Sequence, residues 1–178
     1  MMKTTVEFME REKVEEAALA LLNRHDLLGN AAVNPVAVAS AEGIEVFSIQ
    51  LSDDSVCGIL RKERDQYCIY VNADHHPHRM RYTIAHEIGH YVLHRDIVET
   101  FVDKEINLYR KPQSLESARD RQSAMMEVQA NMFAAALLMP GPSVRKQYAH
   151  TKDIQALAKM FGVSREAMGH RISNLGLQ

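Results

Sequence analysis

The residues of this chain with the clearest chemical potential are His86-Glu87-Ile88-Gly89-His90, the pattern HExxH. The spacing matters on a helix. Residues four apart stack on one helix face, so both imidazoles can reach one metal ion. Glu87 is turned from His86 by about 100° around the axis. It can therefore reach a water in an open coordination position rather than the ion itself. Zinc lowers the pKa of such a water to about 7. A carboxylate can then take its proton and pass it to a leaving amine. Gly89 has no side chain and leaves room for an approach to that side of the helix. The segment around the motif has its own helical pattern. Ile84, Ile88 and Val92, with Ala85, form one apolar stripe, and Pro77 suits a first turn. The competing reading is a surface helix with two solvated histidines.

A catalytic zinc site takes three protein ligands plus water. A third ligand at Asp96 would need the chain to turn back at a glycine, and Leu93 stands in that place. Glu127 is the better candidate. It lies in MMEVQANMFAAALLM, residues 125–139, which is apolar nearly all round and so expects burial as a helix. A carboxylate there stays ionised only if paired or metal-bound. Asn131, one turn later, could hold a ligand histidine by a hydrogen bond. Gln129 points to another face and cannot replace Glu127 as an ionised ligand. That Glu127 reaches the surface or pairs with an arginine remains open. Zinc is the first expectation for the metal, and manganese or iron can occupy similar sites.

The elements that must position these groups can be read along the chain. Residues 4–25 carry apolar positions at helical spacing, with Gly29 as a stop. Asn34-Pro35 reads as an N-cap and first helical position, for a short helix ending at Glu42 before Gly43. Three strand-like runs follow, at 44–51, 56–61 and 66–71. The last two should form an antiparallel hairpin about the turn Lys62-Glu63-Arg64-Asp65, with Cys57 and Cys68 as small buried groups on its arms. Residues 97–122 read as a long polar excursion with room for one short strand. The buried helix should run over 124–139 and end at Pro140-Gly141-Pro142. Two short helices, 154–161 and 164–174, close the chain.

Composition sets the frame. The chain has 178 residues, 46% hydrophobic and 25% charged, which suits one globular domain and argues against wholesale disorder. A formal net charge of −2 gives no global basic excess for nucleic acid. Two cysteines cannot build a disulfide framework. The first residues are charged and lack the apolar stretch of a signal peptide. No apolar run reaches the roughly 20 residues that span a bilayer. The expected location is the cytoplasm.

Weaker signals have plainer explanations. His94 is too far along the helix to share a metal with His86, and a packing or ligand-supporting role suits it. His75, His76 and His78 read first as solvated loop histidines, with adventitious metal binding as the alternative. Arg79 and Arg81 read first as helix-surface residues, with a substrate or structural ion-pair role as the alternative. Tyr91, Tyr148, His150 and Arg171 are all chemically able to stabilise an oxyanion. The tail LAKMFGVSREAMGHRISNLGL has the look of a helix-turn-helix. Its second helix carries Arg165 and Arg171 but also Glu166, so DNA binding is the lesser reading.

R-Y-T-I-A-H-E-I-G-H-Y-V-L-H at 81–94, followed by E-V-Q-A-N-M-F-A-A-A-L-L-M-P at 127–140, resembles the ImmA/IrrE family of metallo-endopeptidases. G-I-E-V at 43–46, C-G-I-L at 57–60 and Y-V-N at 70–72 extend the resemblance over most of the chain. It implies a zinc site of His86, His90 and Glu127, with Glu87 as the catalytic acid and base. Where such proteins commonly carry Glu, this chain has Gln129, a departure that favours Glu127 as the ligand. The resemblance also implies a protein substrate, a helix-turn-helix repressor encoded nearby, and a tail that packs on the protease domain.

The expectation is an α+β zincin-like domain: a small antiparallel sheet packed on helices, the HExxH helix, a second ligand-bearing helix and a short helical tail. Residues 1–150 would form the metallopeptidase domain and 151–178 a helix-turn-helix-like segment packed on it. The leading function is a zinc endopeptidase acting on a regulator. The alternatives are a metal-stabilised module that sequesters a regulator, of toxin–antitoxin or phage type, and a DNA-binding regulator using the last helices.

Overall fold

A computed structural model describes residues 9–29, 32–53, 55–97, 100–104 and 118–177. The described residues form an α+β fold of seven helices and one four-stranded sheet. Helix α1 (Arg11–Arg24) leads to α2 (Pro35–Ala41), then β1 (Glu45–Ile49), β2 (Val56–Glu63) and β3 (Gln66–Asn72). Helix α3 (Pro77–His94) carries the HExxH pattern, and β4 (Thr100–Lys104) follows it. Helices α4 (Ala118–Leu138), α5 (Gly141–His150), α6 (Ile154–Phe161) and α7 (Arg165–Asn174) complete the described chain. None of the described helices is long and apolar enough to cross a membrane.

Local chemistry accounts for several boundaries. The Asn34 side chain accepts the Val36 amide hydrogen, so α2 starts at Pro35. Gly43, at φ +73°, supplies the left-handed residue that ends it. The β2–β3 hairpin forms as expected, but its turn is tighter. Lys62 pairs with Tyr67 and Glu63 with Gln66, leaving Arg64 and Asp65 as the turn. Arg64 takes φ 56°, the positive value that a two-residue hairpin turn demands. The strand ends are polar because their side chains are exposed, which disguises them as turn in the sequence.

The sheet order is β1-β3-β2-β4, and the sheet is mixed rather than purely antiparallel. β1 runs parallel to β3, while β2 is antiparallel to both β3 and β4. Side-chain alternation shows which face of a strand is buried but not the direction of its neighbour. Val46, Ile69, Leu60 and Phe101 fall in one row across the four strands. Of these, Ile69, Leu60 and Phe101 are buried.

Two helices differ from expectation. α4 begins at Ala118, ahead of the expected 124, because its first turns are polar and carry no apolar period. After α4 the chain does not run on as a loop. Pro140 sits at the N-cap and Pro142 in the first turn of α5, where proline's fixed φ helps a helix to start. The expected strand in the polar excursion is β4. Residues 105–117 of that excursion lie outside the described residues, as does the start of the expected first helix.

α4 packs against both α1 and α3. Its Phe133, Ala134 and Leu137 share one core with Leu157, Phe161, Met168 and Ile172 of α6 and α7. Arg171 of α7 is only 3% exposed. Its Nε donates to the Met139 carbonyl at 2.9 Å, and its guanidinium grips the Glu15 carboxylate of α1 with both Nη atoms. Glu15→Ala would leave that cation buried without its counter-charge. The expected loss is about 2–3 kcal/mol of unfolding free energy, reduced from the 3–5 of a fully buried pair because Glu15 is partly exposed. Urea unfolding measures it, and a loss under about 0.5 kcal/mol would show the pair to be unimportant.

Candidate metal centre

The centre is made where α3 crosses α4. A Cβ added at Gly89 would stand 3.1 Å from Ala130 Cα and 3.2 Å from Ala130 O. The room left at Gly89 is thus taken by the backbone of α4. That close approach brings Glu127 to the two histidines. His86 Nε2 lies 3.2 Å from Glu127 Oε2, and His90 Nε2 lies 3.3 Å from Glu127 Oε1. The two Nε2 atoms are 3.0 Å apart.

These separations suit a shared cation. Bonds of about 2.0–2.1 Å in tetrahedral zinc place neighbouring ligand atoms about 3.3–3.4 Å apart. Two imidazoles and one carboxylate are a donor set that zinc, and also manganese or iron, accepts. His86, His90 and Glu127 are the residues whose ligand atoms converge in this way among those described. Protonation favours the same use. Burial drives His90 down to about 4, against weaker upward pulls from Glu127. Burial would raise Glu127, but its contacts with His86 and His90 outweigh this and hold it below the usual carboxylate range. Near neutral pH the pair is a neutral imidazole and a carboxylate, the states that metals bind.

Each histidine is held from behind. His86 Nδ1 lies 3.0 Å from Asn131 Oδ1, which also accepts the Tyr82 hydroxyl at 2.6 Å. His90 Nδ1 lies 3.2 Å from His94 Nδ1, and His94 Nε2 lies 2.8 Å from Gln129 Oε1. Phe101 of β4 stacks on the His90 ring, with centroids 4.3 Å apart and planes 18° apart.

Glu87 is fully buried beneath β2. A Cβ added at Gly58 would stand 2.8 Å from Glu87 Oε1 and 2.4 Å from Thr83 Cγ2. Only glycine lets the strand lie this close. The register of β2 against β4 also shifts between Val56 and Gly58.

The structure therefore brings together His86, His90 and Glu127, and sets Asn131 beside His86. Tyr82, Gln129, Phe101 and Gly58 were not anticipated from sequence. Two had a legible signal: Tyr82 stands one helical turn before His86, and a glycine inside a strand often marks a close backbone approach. Gln129 had none, because its partner lies on another helix.

The weaker candidates lie elsewhere. Tyr91 meets Tyr67 edge-to-face and lines a separate surface cavity with Glu42 and Ile44. Tyr148 lies under the Lys152 ammonium, and His150 is exposed. Arg171 is committed to Glu15 and Met139, so it cannot serve a substrate or a DNA groove. Arg81 is structural: it donates to the carbonyls of Gly162 and Val33. Arg79 donates to Cys57 Sγ at 3.1 Å. Both cysteines are buried, and neither is in a disulfide. His76 caps the His78 amide at the start of α3.

An HExxH helix packed directly on a carboxylate-bearing helix, in a small α+β fold, is a zincin-like arrangement. The family described as the IrrE N-terminal-like domain, peptidase M78, matches residues 39–173. The chain belongs to this family. Metallopeptidase ImmA of Bacillus subtilis (strain 168) is 24% identical over 123 residues, which are 67% of this chain and 64% of that relative. A solved structure titled Mycobacterium tuberculosis transcriptional regulator shares the fold with a TM-score of 0.64 at 22% identity. The match covers 90% of this chain and 46% of that one. The chain thus spans less than two thirds of the ImmA relative and under half of the solved structure.

Proposed function

We propose that this chain is a zinc-dependent endopeptidase that cuts a partner protein, a helix-turn-helix transcriptional repressor, in the cytoplasm. The observation that carries the reading is the convergence of His86 Nε2, His90 Nε2 and a Glu127 carboxylate oxygen within 4.8 Å of one another. These three residues would hold the metal. Zinc, when held there, would supply Lewis acidity for a scissile carbonyl and a water acidic enough, with a pKa of about 7, to give up its proton. Glu87 takes the proton at its carboxylate and returns it to the leaving nitrogen. Asn131 accepts from His86 Nδ1–H and so directs the Nε2 lone pair at the centre. Family membership supports a metallopeptidase, and the ImmA relative bears that name. The repressor as target rests on the family resemblance.

Residues 1–150 then carry the metallopeptidase domain, with 151–178 packed on it. The burial of Arg171 speaks against DNA reading by α7. Among the described residues β4 is the sheet edge beside the centre, since Phe101 stacks on His90. An extended peptide added to that edge would pass close to His90.

One observation favours a second reading. His86, Glu87 and His90 are at most 1% exposed and Glu127 is 8% exposed. A centre this enclosed also suits a structural metal in a module that binds a regulator without cutting it. Metal analysis of the purified protein, with cleavage of the adjacently encoded regulator with and without chelator, separates the two. Stoichiometric zinc and chelator-sensitive cleavage are expected. Bound zinc with no cleavage would select the binding module, and absence of any metal affinity would reject both.

A further inference from the structure

We infer that His94 and Gln129 are positioning residues that set the tautomer and ring plane of His90 for metal binding. The inference rests on the proposed metal centre and goes beyond it, since neither residue is a ligand. Only one tautomer of His90 leaves Nε2 free to bind a cation: the proton must sit on Nδ1. In that tautomer Nδ1–H faces His94 Nδ1 at 3.2 Å, which must accept. His94 then carries its proton on Nε2 and donates to Gln129 Oε1 at 2.8 Å. The chain of hydrogen bonds has one competent direction, from His90 through His94 to the Gln129 carbonyl oxygen. The reverse direction, with the Gln129 amide donating, would put the His90 proton on Nε2 and block the metal.

All three members are at most 1% exposed, so water is poorly placed to replace a missing partner. Phe101 fixes the ring plane from the side, stacked on His90 and 6.1 Å from the His94 ring. Gln129 stands next to Ala130, the residue that meets Gly89, so the helix contact that delivers Glu127 also delivers the end of the relay. His86 receives equivalent support from Asn131 and Tyr82. Both imidazoles thereby point Nε2 inward.

The test is metal affinity, read by chelator competition with zinc and by the visible spectrum of the cobalt(II)-substituted protein. Gln129→Met keeps the length of the side chain and removes the acceptor. It is expected to weaken zinc about 10–100-fold and to alter the cobalt spectrum. Gln129→Glu keeps an acceptor and cannot donate when ionised, so it should bind at least as tightly as wild type. Gln129→Met within twofold of wild type, or Gln129→Glu as weak as Gln129→Met, would overturn the inference. Should Gln129→Met fail to fold, Gln129→Glu against wild type decides: weaker binding overturns, equal or tighter binding supports. Wild-type protein that binds no metal at all would instead reject the centre itself.

Discussion

Glu87→Gln is expected to retain wild-type zinc and to lose about 10²–10⁴-fold in the rate of peptide cleavage. The amide is nearly isosteric, so the packing of Glu87 beneath Gly58 and beside Thr83 should survive. What disappears is the ability to accept a proton. His86, His90 and Glu127 are untouched, which makes the split between metal content and turnover diagnostic. The measurement is single-turnover cleavage of the regulator alongside metal analysis of the same preparation. Cleavage at the wild-type rate would remove Glu87 from the mechanism. Loss of zinc together with activity would mean that Glu87 supports the centre rather than the reaction.

Gly58→Ala should produce nearly the same phenotype from the opposite side of the site. The new methyl would stand 2.4 Å from Thr83 Cγ2 and 2.8 Å from Glu87 Oε1. Thr83 is buried on a helix and β-branched, so it has little freedom to give way. The strain is expected to cost about 1–3 kcal/mol of stability. It should also displace the Glu87 carboxylate. A displacement of about 1 Å can cost about 10²-fold in rate. Because position 58 touches no ligand atom among its nearest contacts, zinc affinity should change little. Urea unfolding, chelator competition and cleavage rate on one sample separate these effects. Unchanged cleavage in a folded Gly58→Ala protein would show that β2 does not position Glu87.

The two variants also discriminate between the readings of the centre. A binding module with a structural metal would keep its affinity for the regulator in Glu87→Gln, and would show no cleavage to lose. A hydrolase would lose turnover while its metal stayed in place. The near-complete burial of the four central residues makes this comparison necessary.

Much of this arrangement is legible in the amino-acid sequence. HExxH sets two imidazoles on one face because a helix repeats every 3.6 residues, a local property that spacing reveals. A lone carboxylate in an otherwise apolar helix announces that something must neutralise it, which singled out Glu127 and, one turn on, Asn131. Asn34-Pro35, Gly43 and the β2–β3 hairpin were readable for the same reason. Capping and turn formation depend on neighbours within a few residues.

Relations between distant segments were not legible. Nothing in the local pattern says that Gly89 meets Ala130, that Gly58 lies over Glu87, or that Phe101 stacks on His90. The parallel pairing of β1 with β3 was equally hidden, since alternation is blind to strand direction. By helical spacing Gln129 points to another face than Glu127, and only the packing of α3 on α4 puts His94 at its end. Short-range chemistry chooses which side chains can act, because it depends on backbone periodicity. Close packing of helix on helix and strand on helix chooses which of them meet, because tenths of an ångström there depend on residues far apart in the chain.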